Sequence, residues 1–158
     1  MEILQEAFTF DFRQTVIDFL RVGLAFILAI PVGWERHESH RSLGLRTFPI
    51  VAMAACGFML IGKTLPGADA ESQARLIQGL IGGIGFIGGG AILKKGTNVR
   101  GLATAASIWC TGAIGAAVAF EREGIAVVLS ATMFVTLRVL RPLAENNDDM
   151  DENEAGDD

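Results

Sequence analysis

Three stretches of this chain run for a helix's length without an Asp, Glu, Lys or Arg. Thr47–Gly62, Leu76–Leu93 and Gly101–Phe120 hold 16, 18 and 20 residues, and the charged residues lie between them. A helix needs about 20 apolar residues to cross a bilayer's hydrocarbon core, with a range of ~17–25. Two shorter runs, Val22–Trp34 (preceded by VIDFLR) and Gly124–Leu137, can also span. They do so if Asp18, Arg21, Arg122 and Arg138 reach the interface, where long side chains snorkel. With 51% hydrophobic residues and a mean hydropathy of +0.42, the chain reads as one all-α polytopic membrane helix bundle of about five transmembrane helices.

The flanks refine that expectation. The start, MEILQEAFTFDFRQ, has no basic region before an apolar stretch and is not read as a cleavable signal peptide. Asp11 and Gln14 have capping-box spacing, Arg21 follows Asp18 at a pairing distance of three residues, and Pro31 is expected to kink the first helix near its end. The formal charge of −5 hides an asymmetry, because residues 145–158 carry eight of the eighteen acids and no base. A segment so acidic and so poor in apolar groups buries too little to fold, so the expected division is a transmembrane domain over 1–143 and a disordered tail over 144–158. Arg36, Arg41, Arg46, Lys94, Lys95, Arg100, Arg138 and Arg141 fall on one side of the bundle. Arg13, Arg21, Lys63, Arg75 and Arg122 fall on the other. Positive charge marks the cytoplasmic side, which puts the C-terminus inside.

The segment LIQGLIGGIGFIGGGAIL (76–93) asks why an apolar helix accepts seven glycines, each costing ~1 kcal/mol relative to alanine. Gly83-Ile-Gly85-Phe-Ile-Gly88 matches G-x-G-x-x-G, but no acid lies between Glu71 and Glu121 and no Gly-Lys-Ser/Thr follows. The cofactor and phosphate-loop readings therefore fail. Gly79, Gly82, Gly85 and Gly88 recur every three residues, and Gly79/Gly83 and Gly85/Gly89 are small-xxx-small pairs. In lipid, helices associate through close backbone approach, so this spacing predicts a packing face within the protomer or across a dimer. The second reading is a helix partly unwound around Gly88, Gly89 and Gly90 to line a cavity or ion path.

One pattern occurs twice, 57 residues apart: Gly33, Gly44, Leu45 and Thr47 correspond to Gly90, Gly101, Leu102 and Thr104. Each copy reads helix, basic loop, Gly-Leu-x-Thr, helix, which implies a parallel repeat of two helix hairpins. Thr47 and Thr104 are expected to cap the following helices, with Arg46 and Arg100 beside them. Such helix starts suit simple capping, or an anion such as a lipid phosphate, a carboxylate or a partner's acidic residue.

Other chemistry is sparse. A divalent cation wants several oxygens, and Glu35 is the best available ligand; Gln78 and Thr111 are neutral alternatives. Glu35 and Arg36 are expected to pair locally. His37 and His40 read as solvated loop residues, Cys56 and Cys110 as reduced buried thiols, Trp34 as an interfacial anchor and Trp109 as packing. Nothing indicates a catalytic constellation or nucleic-acid binding. No cofactor is expected.

Together, Gly33-Trp-Glu35-Arg36, Gly44–Thr47, Gly83–Gly90 and Asn98–Cys110 (NVRGLATAASIWC) resemble the MgtC/SapB family of bacterial membrane proteins, over about Val22–Leu140. The resemblance implies a non-enzymatic, multi-pass bacterial inner-membrane protein associated with adaptation to low magnesium. Its alternative is a transporter of magnesium or another ion. It marks Glu35, Arg36, Arg46, Thr47, Arg75, Gly83, Gly85, Gly88, Arg100, Thr104 and Trp109 as functional residues. Expected partners are membrane lipid, a second copy in a homo-oligomer such as a dimer, and another membrane protein. Two departures from the family pattern are Ala103, where Thr or Asn is common, and Gly89, where Ala is usual. Longer members append an ACT-like soluble domain where this chain has its acidic tail.

Overall fold

The computed structural model describes residues 11–38, 44–65, 67, 69–95 and 98–154, with 37, 38, 95, 98 and 141–154 described by backbone alone. Its helices are α1 (Phe12–Glu38), α2 (Thr47–Thr64), α3 (Ala70–Gly90), α4 (Leu102–Ala119) and α5 (Glu123–Glu154). Between α3 and α4 lie two short strands, β1 (Leu93–Lys95) and β2 (Asn98–Arg100). They pair antiparallel, with Leu93 opposite Arg100 and Lys95 opposite Asn98. The expected basic loop is thus a hairpin, which stiffens the connection.

Local chemistry explains the element ends. Asp11 starts α1 by accepting the Gln14 N–H at 3.1 Å. The Gln14 amide turns forward to Asp18 instead of closing the capping box. α1 then continues past Pro31 to Glu38. Asp69 caps α3 by accepting the Ser72 N–H at 2.8 Å, a bond that holds its carboxyl below the ordinary range. At the other end of α3 the Ala91 N–H reaches the Gly88 carbonyl at 3.0 Å, so the helix is continuous through the triple glycine. The partly unwound helix is therefore not what forms.

α4 is the centre of the bundle and touches each of the other four helices. Ile108, Ile114 and Val118 are buried there with Phe48, Ala52 and Val32. α2 crosses α4 so closely that the Ala52 carbonyl fills the place a Cβ on Gly115 would need. Ser130 of α5 donates to the Leu28 carbonyl of α1 at 2.6 Å, tying the outer helices together. Away from this core the surface stays apolar, with Phe19, Ile50, Phe86, Val128 and Val139 more than half exposed. An inside and an outside that are both apolar suit a bundle whose solvent is lipid.

Four helices are long and apolar enough to cross a membrane: Phe12–Arg36, Thr47–Thr64, Leu102–Ala119 and Glu123–Leu140. α3, one of the five expected spans, is not among them. It opens with the polar AESQAR, and Ile92 and Leu93, which complete its apolar run in sequence, lie beyond its end. The expected boundary at residue 143 falls inside α5, whose backbone remains helical to Glu154.

Candidate functional site: a bare helix face and a buried polar end

The glycines of α3 do not share one role. A Cβ on Gly88 would lie 3.2 Å from the Ala105 carbonyl, so here α3 packs backbone to backbone on α4. At Gly79, Gly82, Gly83, Gly85, Gly89 and Gly90 a Cβ would meet nothing within 4 Å. Close packing inside the protomer thus accounts for Gly88 alone among the seven. At ~100° per residue, Gln78, Gly82, Gly85 and Gly89 share a second face of α3, and Gly79 and Gly83 a third, turned toward α2.

Trp109 belongs beside the second face. Gly88 meets Ala105, and a Cβ on Gly112 would strike Ile84, which fixes the antiparallel register of α3 on α4. Interpolating between these contacts puts Trp109 level with Gly85 and Phe86, on the flank of α4 that borders the Gly85 face. Its side chain is 51% exposed. Its ring is half-exposed at the edge of a strip without side chains, so any packing role it has reaches beyond the core of the protomer.

The other sequence-marked residues, Arg75 excepted, gather at the Arg46 end of the bundle. Glu35 is only 1% exposed, and its Oε2 accepts the Arg36 guanidinium at 3.1 Å, as the local-pair reading expects. Gly33 approaches the chain before α2, where a Cβ would stand 3.0 Å from the Gly44 carbonyl. In the second hairpin Gly101, at φ 95°, lies against the Ala91 backbone, a position no side chain can share. Both copies therefore bring the chain before the second helix close to the end of the first, but through different residues: Gly90, the counterpart of Gly33, meets nothing within 4 Å.

The threonines depart from expectation. Arg46 holds the N-cap position of α2 and Gly101 that of α4, neither helix has a side-chain cap, and Thr47 and Thr104 lie inside their helices. Ser107 and Thr111 satisfy their hydroxyls on carbonyls four residues back, Ala103 at 2.6 Å and Ser107 at 2.7 Å. Thr104 has no helical carbonyl four residues back, because Arg100 belongs to β2. Its Oγ1 is buried without a hydrogen-bond partner. Thr104, Ser107 and Thr111 form a polar stripe on the buried side of α4.

Magnesium prefers several oxygens with retained water. Among the described residues no group of three His, Cys, Asp or Glu side chains could hold a metal ion, and Glu35 is engaged by Arg36. This donor set does not fit a resident magnesium site. Cys56 and Cys110 are free thiols, the first buried and the second half-buried. The side chains of His37 and His40 lie outside the described residues.

Sequence reasoning missed the far end, where Glu121 accepts Arg21 at 2.8 Å and Lys63 at 3.1 Å. Arg21 is thereby drawn from its expected partner Asp18. Arg75 forms an exposed pair with Glu71 one turn earlier.

Comparison with known proteins decides the kinship. The MgtC family model matches residues 22–146, which include every sequence-marked site residue. The chain belongs to the MgtC family. Protein MgtC of Brucella abortus is 38% identical over 121 residues, 77% of this chain and 50% of that protein. Protein MgtC of Salmonella typhimurium is 41% identical over 96 residues, covering 61% of this chain and 40% of that protein. An uncharacterized Synechocystis protein is 39% identical over 125 residues, covering 79% and 53%. The chain thus spans about half the length of the curated MgtC relatives it matches. No solved structure matches it.

Proposed function

We propose that this chain is a bacterial inner-membrane protein of MgtC type that works without catalysing a reaction, by offering the Gly85 face of α3 to another membrane helix. The observation that carries this reading is the exposed strip Gln78, Gly82, Gly85 and Gly89, flanked by Trp109, which none of the described residues of the protomer covers. Bare strips of this kind let helix backbones approach in lipid, and an adjacent amide and indole supply hydrogen bonds and contact area. A second copy of the chain and a different membrane protein both fit. The family resemblance directs the role to adaptation under magnesium limitation. Clustering of Arg46, Lys94 and Arg100 at one end supports a cytoplasmic location for that end and for the C-terminus.

Gly85→Leu tests the proposal. The Cβ enters open space, so the protomer folds while the strip is blocked. The expected result is loss of self-association or of partner capture in membranes, measured by cross-linking and by mass in detergent. Intact assembly in that variant overturns the reading.

One observation favours ion transport as a second reading. Buried Glu35 and the Thr104, Ser107 and Thr111 stripe put polar groups inside the bundle, where they are costly and mark ion pathways. Purified protein in vesicles would then take up cations, and Glu35→Gln would slow the uptake. Vesicles no more permeable than empty ones refute transport and leave the helix-contact proposal standing.

A further inference from the structure

α2 and α3 meet where Leu76 lies over Gly62, and between them is a cavity of about 730 Å³. Its walls are apolar side chains, among them Ala54, Phe58 and Ile87, and its floor is bare at Gly79 and Gly83. Ser72 and Arg75 stand at one end, where Arg75 is 76% exposed and paired with Glu71. We infer that this groove holds one acyl chain of a phospholipid whose phosphate sits on the Arg75 guanidinium.

Length, apolar lining and charge point to this occupant. From Ser72 to Ile87 the groove follows α3 for roughly 22 Å at the helical rise. One leaflet's share of the hydrocarbon core is roughly 15 Å, so the groove is long enough for a whole acyl tail. A single acyl chain lies along this groove against its apolar walls. Among the described lining residues Arg75 is the only charged one, and Glu71 is paired to it at the mouth. A guanidinium binds phosphate through paired N–H donors, and Glu71 beside it suits the ammonium of an ethanolamine headgroup. Gly83 and Gly85 point ~200° apart on α3, so this groove and the proposed helix-contact face are separate surfaces.

The test uses the full chain reconstituted in vesicles of phosphatidylethanolamine and phosphatidylglycerol, re-extracted in mild detergent and weighed by native mass spectrometry. Wild type is expected to retain a phospholipid on each chain. Gly83→Phe, whose side chain enters the empty groove, is expected to lose it. Arg75→Gln, at an exposed position that cannot unfold the bundle, should weaken retention roughly tenfold, the share of one charge-assisted contact. Val128→Phe, on the outward side of α5, controls for added apolar bulk and should retain lipid as wild type does. Equal retention in wild type, Gly83→Phe and Arg75→Gln overturns the inference. So does efficient disulfide cross-linking of two copies through Gly83→Cys in a chain lacking Cys56 and Cys110, which would make the occupant a second protomer.

Discussion

Thr104 and Gly101 show how far single residues can be read. The motif Gly-Leu-x-Thr was visible in sequence as a repeat, and the threonine looked like a cap. The structure gives the cap position to Gly101 and leaves the threonine hydroxyl unpaired. The reason is local: capping geometry requires the residue before the helix, and the hairpin delivers glycine there at φ 95°. An unpaired buried hydroxyl costs free energy that an isosteric apolar side chain avoids. Thr104→Val should therefore leave thermal stability in detergent unchanged or raise it, by about 1 kcal/mol. A clear loss would mean that the hydroxyl has a partner in the native membrane. Gly101→Ala should do the reverse. Its methyl would meet the Ala91 carbonyl in a left-handed conformation, and a cost of about 2 kcal/mol is expected from backbone strain alone.

Among the elements, α3 separates what periodicity reveals from what packing decides. The uncharged runs located α2 and α4 to within two residues at each end, because a long apolar run admits few alternatives in lipid. The glycine pattern was equally visible, but its partners were not. A step of three residues lags a 3.6-residue turn by ~60°, so Gly79, Gly82, Gly85 and Gly88 sweep half-way round the helix. One pattern therefore supplies a groove floor, an exposed strip and a contact with α4. Only the position of α4 decides which glycine packs. Gly88→Leu should push α3 off the Ala105 backbone and destabilise the bundle by about 1–3 kcal/mol, the usual range for overpacking. Gly89→Leu, one residue on in open space, should hold the fold to within about 0.5 kcal/mol. Equal losses at the two positions, measured by thermal unfolding in detergent, would refute the assigned rotation of α3.

For the molecule as a whole, an all-α membrane bundle was legible because hydrophobic length and charge placement are one-dimensional properties. Ion pairs that join distant elements are not. Arg21, Lys63 and Glu121 come from α1, α2 and the turn before α5, and nothing local brings them together. Glu121 clamps that end of the bundle, and Lys63 also donates to the Ala119 carbonyl at 3.2 Å. The hydrogen bond from Lys63, then the charges of Lys63 and Arg21, hold the Glu121 carboxyl below its ordinary value of 4.5. In the unfolded chain that value is restored, so protonation favours unfolding only in acid. The clamp's contribution is complete above pH 4.5 and disappears as pH falls through the folded value. Glu121→Gln keeps the side-chain length and the left-handed backbone while removing the charge. Wild type should therefore unfold at a higher temperature than this variant at pH 7, with the gap closing below pH 4.5. Salt should narrow the gap at pH 7, because the carboxylate is exposed and its attraction is screened. A gap that persists in strong acid would mean that Glu121 acts through packing rather than charge, and the three-element clamp would have to be abandoned.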